Sequence, residues 1–166
     1  MATIDVTNAI QDLTHPSAHA HVYQTAHVPV AIDFAKVLAK KGSALVAGDV
    51  IRVFKIPPKT VVSQGWLEVL QASAANLTTC TLNVGLETAD PARFISGFNY
   101  KTATVGQFAT DAATPTRVIV GTTPVEYFTV TIATLTGVLD SGIVNVAASL
   151  LDLSDPARSA GLATRT

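Results

Sequence analysis

Four histidines near the start of the sequence come closest to the spacing of a chemical site. They are His15, His19, His21 and His27. On an extended strand His19 and His21 would project to the same side, and two imidazoles with a third ligand can hold zinc or nickel. No carboxylate lies at a matching spacing, and the segment lacks the periodicity of a regular element that would hold supporting groups around a metal. We therefore predict a polar arm that uses histidine rather than a metal site, with a pH-responsive arm as an alternative.

Residues that could act as nucleophiles or general acids are scattered along the sequence. The run Ile95–Phe98 contains Ser-Gly but lacks the first glycine of a nucleophile elbow. Cys80 lies between two threonines in an alternating run, which favours a core position over a reactive thiol. Asp49, Asp90 and Asp140 stand beside glycine, proline or a turn, as turn-forming aspartates do, and no phosphate-binding glycine loop occurs. The sequence predicts no catalytic, cofactor-binding or metal-binding residues, and a protein that is not an enzyme.

Three aromatic residues, Trp66, Tyr100 and Tyr127, could form a platform that stacks on sugar rings. A single tryptophan inside an alternating strand is more typical of a core, so we expect Trp66 to be buried. Exposure of Trp66 or Tyr100 would favour a carbohydrate-binding module, and burial of both would remove its best candidates.

Charged residues are scarce in this chain. Of its 166 residues, 48% are hydrophobic and 14% are charged, against about 25% charged in an average soluble protein. The 11 basic and 12 acidic residues leave a net charge of −1 and form no basic run, so we predict neither a nucleic-acid partner nor a membrane. Scarce charge also indicates that much of the surface meets other protein.

A lone cysteine, with no secretory leader and no apolar run of about 18 residues, predicts synthesis in the cytoplasm without disulfides.

Segments rich in threonine and valine alternate apolar and polar residues, which is the pattern of half-buried strands. The predicted strands are Val28–Ala35, Asp49–Ile56, Thr60–Gln71, Thr78–Val84, Arg117–Val120, Glu126–Leu135 and Ile143–Leu153. The short segment Arg93–Phe98 is predicted to be either a strand or an irregular turn. The predicted inward-facing sets are Val28, Val30, Ile32 and Phe34; Cys80, Leu82 and Val84; Phe128, Val130 and Ile132; and Val144, Val146, Ala148 and Leu150. A helical turn or two within 34–41 is an alternative end for the first strand.

Short strands separated by turns every 8–12 residues or so predict an all-β fold, an antiparallel β-sandwich that is jelly-roll-like. We expect an extended N-terminal arm at 1–25, the sandwich at 26–153 and a short flexible C-terminal tail at 154–166. The segment 136–142 is predicted to join the last two strands as a hairpin. Gly65, inside a strand, is predicted to mark a bulge or the close approach of another backbone.

Several strand-and-turn motifs together resemble one class of protein. The motifs are Gly48–Ile51, Ile56–Pro57, Asn83–Gly85, Asp90–Phe94, Thr129–Ile132 and Leu151–Leu153. With them, the stretch from Ala47 to Leu153 resembles small virion structural proteins of tailed bacteriophages, the decoration or cement proteins bound to the capsid exterior. The histidine-rich arm is not part of that pattern.

The resemblance implies a non-enzymatic jelly-roll module at the capsid surface of the virion, synthesised in the host cytoplasm. Its implied partners are the major capsid protein and sister copies, with a homotrimer expected, and it implies no catalytic or metal residues. Residues 1–25 are expected to contact the shell or a sister subunit. Three alternatives stay open: a fibre, tail or neck component; a carbohydrate-binding module for the host surface; and a hydrolase, which would need two carboxylates close together in a cleft.

Overall fold

The computed structural model of the chain describes residues 2–5, 26–73, 76–110, 118–119 and 126–152. Strands dominate these ranges, and one α-helix lies between the second and third strands. The strands are β1 (Thr3–Asp5), β2 (Ala26–Asp33), β3 (Val50–Ile56), β4 (Thr60–Gln71), β5 (Leu77–Leu86), β6 (Asp90–Asn99), β7 (Phe108–Thr110), β8 (Val118–Ile119), β9 (Glu126–Gly137) and β10 (Ile143–Asp152). The helix, α1, spans Phe34–Lys41.

The strands form two sheets that pack face to face. The first sheet has the order β1-β3-β9-β5-β6, and the second has the order β2-β10-β4-β7, with β8 also paired to β4. Every pairing is antiparallel except that of β1 with β3, which is parallel. Apart from β1, the orders 3-9-5-6 and 2-10-4-7 distribute the chain between two four-stranded sheets as a jelly roll does. The prediction of an all-β, jelly-roll-like sandwich is confirmed.

The inner faces of the two sheets build the core, as the alternation predicted. Nearly all of the predicted inward-facing residues of β2, β5, β9 and β10 are buried, and Val30 is half-buried. Cys80 lies among them and is 1% exposed, which confirms its predicted core position. The rings of Phe54 and Phe128 stack with centroids 4.9 Å apart, and Phe94 contacts Phe128 from the side.

The prediction that the first strand continues through Phe34 and Ala35 is wrong, and the alternative helix is the one observed. The chain leaves β2 at Asp33, whose carboxylate accepts hydrogen bonds from the backbone N–H groups of Ala35 (3.0 Å) and Lys36 (3.4 Å). This N-cap starts α1 at Phe34. Phe34 still reaches the core, because the first turn of the helix buries Phe34 and Val37.

The predicted hairpin between the last two strands is also wrong. In the first sheet β9 lies between β3 and β5, and in the second β10 lies between β2 and β4. The connection between them therefore crosses from one sheet to the other, and Leu139, 2% exposed, closes the end of the core beneath it.

The predicted close approach of another backbone at Gly65 is wrong, because the neighbouring atoms belong to a side chain. A Cβ atom at Gly65 would lie 2.8 Å from the side chain of Phe94, which packs across from the first sheet. Nearby, the pairing of β10 with β4 shifts register between Ser149 and Leu150.

The first described residues belong to the sandwich. Thr3, Ile4 and Asp5 pair with Val50, Ile51 and Arg52 of β3, and Ile4 joins the core at 5% exposure. Residues 6–25 and 153–166 lie outside the described part of the chain, so an arm and a tail there stay predictions.

Candidate docking surface

Among the described residues, the large hydrophobic side chains that are exposed cluster at one end of the sandwich. They are Val105 (67% exposed), Phe108 (55%), Val138 (50%), Val46 (44%) and Leu70 (42%). Val46 lies shortly before β3, Val105 before β7 and Val138 after β9, while Phe108 begins β7 and Leu70 is near the end of β4. Strand pairing shows that β3 begins at the end where β9 stops, and β7 at the end where β4 stops. Tyr100 brings these two ends together, because it donates hydrogen bonds to Gln71 at the end of β4 and to Cys80, which lies opposite Leu135 near the end of β9. We call this the apolar end.

Three of these side chains form one patch beside the edge strand β7. Phe108 lies opposite Glu68 in the pairing of β7 with β4. Val69 N–H donates to Gln107 (2.9 Å), and Gly106 N–H donates back to the Val69 carbonyl (2.8 Å), which holds the segment before β7 against β4. Leu70, Val105 and Phe108, which we call the β7 patch, are therefore presented from a fixed backbone.

A groove beside helix α1 forms the other part of the apolar end. It has a volume of about 490 Å³. Its lining residues are Leu38, Ala39, Gly42, Ser43, Ala44, Leu45, Gly137, Val138 and Leu139. Nearly all of them are apolar or glycine, so this α1 groove suits an apolar side chain or loop of a partner. Exposed Val46 follows the lining residue Leu45 directly in the chain.

Tyr100 holds the apolar end together from inside. Its hydroxyl donates to the carbonyl of Gln71 at the end of β4 (2.9 Å), and its ring contacts Phe34 of α1 with centroids 5.3 Å apart. Its backbone N–H donates to the carbonyl of Cys80 (2.9 Å). Burial raises the pKa of Tyr100, so the hydroxyl stays protonated and remains a donor. The β4 end, α1 and β5 are thereby fixed to one another.

A buried ion pair supports the same end. Asp49 is fully buried, and its carboxylate accepts hydrogen bonds from Lys41 Nζ and from the backbone N–H groups of Ala2 and Val46, both at 2.9 Å. Lys41 Nζ also donates to the carbonyl of Ala44 (2.7 Å). Burial works to raise the pKa of Asp49, but the hydrogen bonds and the charge of Lys41 outweigh it and hold that pKa below its ordinary value. Asp49 is thus more than the turn former that the sequence predicted.

The opposite end, which we call the polar end, carries paired charges. Arg52 Nε contacts both carboxylate oxygens of Glu87 at 3.0 and 2.9 Å, and the Arg52 guanidinium lies 4.4 Å from the ring centroid of Tyr127. Glu126 accepts hydrogen bonds from the backbone N–H (2.9 Å) and the hydroxyl (2.7 Å) of Thr88. These side chains satisfy one another within the chain.

The three aromatic candidates for a sugar platform do not lie together. Tyr100 is fully buried. Trp66 lies beside inward-facing Leu67 and is half-buried on the outer side of the second sheet, so its predicted core position is wrong. Tyr127 is on the first sheet, covered by Arg52. No shared sugar-binding face results from these residues.

The other side chains that could bind a metal or act as nucleophiles do not come together in the described part of the chain. No three His, Cys, Asp or Glu side chains group there as metal ligands. Burial raises the pKa of Cys80 to about 12, so its thiol is protonated and unreactive at neutral pH. His15, His19 and His21 lie outside the described residues, and His27 is placed only by its backbone in β2. Nor is any described helix long and apolar enough to cross a bilayer.

Sequence reasoning missed the apolar end altogether. The alternation predicts no strand between Phe98 and Arg117, yet this stretch carries Val105 and Phe108. A phenylalanine and a valine in a loop rich in threonine, alanine and glycine were the available signal, because apolar side chains without a core position are unusual in such loops.

Comparison with solved structures places this fold among chains of phage capsids. A chain in the capsid of Ralstonia phage GP4 superposes with a TM-score of 0.59 at 15% identity, covering 92% of this chain and 99% of that one. A chain of the cyanophage Pam1 capsid gives 0.57 at 20% identity, with 84% and 98% covered. A chain in the acid-stable capsid of Helicobacter pylori bacteriophage KHP30 gives 0.50 at 15% identity, with 80% and 92% covered.

The similarity is one of fold. No protein-family model matches the sequence, and no curated protein matches it either. The superpositions extend over nearly the full length of the capsid chains, so the two sheets are shared as a whole and not as a fragment.

Proposed function

We propose that this protein is a non-enzymatic virion structural protein that decorates or cements the capsid exterior of a tailed phage. It acts by binding, and its contact with the major capsid protein is made by the apolar end. The observation that carries the proposal is the concentration of Val46, Leu70, Val105, Phe108 and Val138 at one end of a fold otherwise found in capsid chains.

Exposed apolar surface is unfavourable in water, and its burial against a partner stabilises a complex. Isolated exposed hydrophobic residues are common, but a contiguous apolar patch on a soluble domain marks an interaction site. Here the β7 patch and the α1 groove share one end, on a backbone held by Tyr100 and by the Lys41–Asp49 pair. A rigid surface of this kind loses little conformational entropy on binding, which favours affinity.

Capsid shells offer the matching partner. A shell repeats the same site many times, so an oligomer that engages several sites at once binds far more tightly than one copy does. We propose a homotrimer for that reason. In the trimer each apolar end faces the shell, and the polar end, with its internally paired charges, faces the solvent.

Two rival functions make different use of the same molecule. A fibre, tail or neck component would bury the apolar end against another structural protein, and only its place on the virion separates it from decoration. A carbohydrate-binding module could not use Tyr100, because that residue is buried. The two remaining aromatic candidates, Trp66 and Tyr127, lie on different sheets. A structural role on the virion accounts for the exposed hydrophobic residues, whereas a sugar-binding role does not use them.

Immunogold labelling of purified source virions, with antibody raised against the folded domain, tests the proposal. Label distributed evenly over the head is the expected result. Label confined to the tail or neck would transfer the protein to the first rival. Virions without label would overturn the structural role and return the sugar-binding and hydrolase functions to consideration.

A further inference from the structure

The edge of β3 is built to receive a strand. Val50 N–H donates to the carbonyl of Ala2 (2.8 Å), and Ala2 N–H donates to Asp49 Oδ1 (2.9 Å). One residue further along, Ile4 lies opposite Ile51 and is buried against the core. Without β1, the buried carboxylate would lose a donor, and Ile51 would lose its apolar cover.

The strand that fills this edge is short and replaceable. β1 has three residues, and Ile4 is its member of the buried core. Among the described residues β1 hydrogen-bonds in a ladder with β3 alone. The pairing of β1 with β3 depends only on the sequence of the two strands and their register. The same strand from a second copy of the chain would therefore make the same contacts with β3.

The length of chain between β1 and β2 permits such an exchange. Positions 6–25 separate Asp5 from Ala26. Twenty residues can extend to roughly 70 Å at about 3.3–3.6 Å per residue. A domain of this length has a radius of gyration of only about 15 Å. The link is therefore long enough for β1 to reach β3 of an adjacent molecule.

We propose that β1 is exchanged between copies of this chain, so that each copy inserts Thr3–Asp5 beside β3 of a neighbour. Exchange conserves every hydrogen bond and buried contact of the closed form, so its equilibrium depends on the local concentration of copies. A crowded oligomer favours exchange, and dilute protein favours the closed form. The inference concerns the chain's own self-association and holds whether the virion location is head, tail or neck.

Disulfide trapping tests the proposal directly. Thr3 and Val50 are paired residues of adjacent strands, a separation that suits a disulfide. Native Cys80 is 1% exposed and its pKa is raised to about 12, so it does not compete. Two single variants, Thr3→Cys and Val50→Cys, are refolded together at high concentration and oxidised, then separated by non-reducing electrophoresis.

Exchange predicts a mixed disulfide between the two variants, at twice the chain mass of 17.3 kDa. A control mixture of Thr3→Cys with Ala89→Cys places the second thiol on an exposed turn at the polar end and measures random collision. The proposal is overturned if the test mixture gives no more dimer than the control while the double variant Thr3→Cys/Val50→Cys closes a disulfide within one chain. If Val50→Cys does not fold, the pair Asp5→Cys and Arg52→Cys replaces it at another register position of the same strand pair.

Discussion

At the polar end of the sandwich, Arg52 is paired with Glu87 and stacked on Tyr127, and Glu126 is bonded to Thr88. The apolar end has equally strong internal links, but they lie beneath the surface. There the outermost side chains are hydrophobic and face outward. The polar end therefore satisfies its own surface groups, whereas the apolar end leaves hydrophobic side chains that a partner would cover.

The hidden links explain how the apolar end keeps its shape without that partner. Tyr100 connects α1 with the end of β4, and Lys41 with Asp49 connects α1 with the start of β3. An exposed apolar surface on a loosely held loop would collapse inward. In this protein the Tyr100 contacts and the Lys41–Asp49 pair hold the backbone at the apolar end in place, so its hydrophobic side chains stay exposed.

The largest loss of stability is expected from a substitution that disturbs the packing around Tyr100. Gly142 has φ +108°, and a Cβ atom there would collide with the hydroxyl of Tyr100. We expect Gly142→Ala to lower the free energy of unfolding by about 3–5 kcal/mol, through backbone strain and overpacking. The control Gly42→Ala, with φ +72° and no atom within 4 Å of its Cβ, should cost only about 1–2 kcal/mol. Equal losses in urea denaturation would show that Tyr100 does not fix this end.

The buried ion pair is expected to have the next largest effect. Asp49→Asn leaves the ammonium of Lys41, 11% exposed, without its counter-charge. We expect a loss of about 3 kcal/mol in the free energy of unfolding. Asp33→Asn makes the same change in a half-buried N-cap, where asparagine serves equally well, and should alter stability by less than about 0.5 kcal/mol.

The same carboxylate predicts how stability depends on acid. Because the pKa of Asp49 is lowered in the folded protein, the unfolded chain binds a proton more readily. Its contribution is complete above the unfolded pKa of about 3.9 and is lost as the pH falls through the lower native value. Denaturation midpoints measured between roughly pH 2 and pH 6 should therefore fall more steeply for the natural protein than for Asp49→Asn. Parallel profiles would contradict this role of Asp49.

A third effect separates docking from stability. The double variant Val105→Ser/Phe108→Ser removes two exposed side chains of the β7 patch. We expect capsid binding to weaken by at least about a hundredfold, because burial of each such side chain stabilises by about 1.5–3 kcal/mol and the variant removes two. Stability should change by less than about 1 kcal/mol. Co-sedimentation with stripped heads measures the first quantity, and Ala89→Asp at the polar end is the control that should bind normally.

The smallest effect is expected at the polar end itself. Arg52→Ala removes a partly exposed ion pair and its contact with Tyr127. We expect a loss of about 0.5–1 kcal/mol that diminishes as salt is added, and no change in capsid binding. Weakened binding by this variant would mean that the polar end also contacts the shell and would break the contrast between the ends.

The sequence predicted the interior well, because alternation reports directly which residues face inward. Val144, Val146 and Ala148 of β10, like Leu82 and Val84 of β5, are buried as predicted. Alternation carries no information about which sheet a strand joins. The hairpin between β9 and β10 was predicted from proximity in sequence, whereas both strands are central in separate sheets.

The candidate site was largely beyond prediction, since it depends on three-dimensional neighbours. Asp49 beside Gly48 fits a turn, and only the fold brings Lys41 and Ala2 to its carboxylate. Exposure of Val105 and Phe108 likewise depends on where the loop before β7 lies. The fold class followed from local periodicity, but the docking surface follows from the way the loops meet at one end.

A cryo-electron microscopy reconstruction of the source virion is the measurement that bears most directly on the docking role. We expect jelly-roll density outside the shell, with Val105, Phe108 and Val138 within contact distance of the capsid protein and Arg52 directed to solvent. Density in which the polar end contacts the shell and the apolar end faces solvent would contradict it.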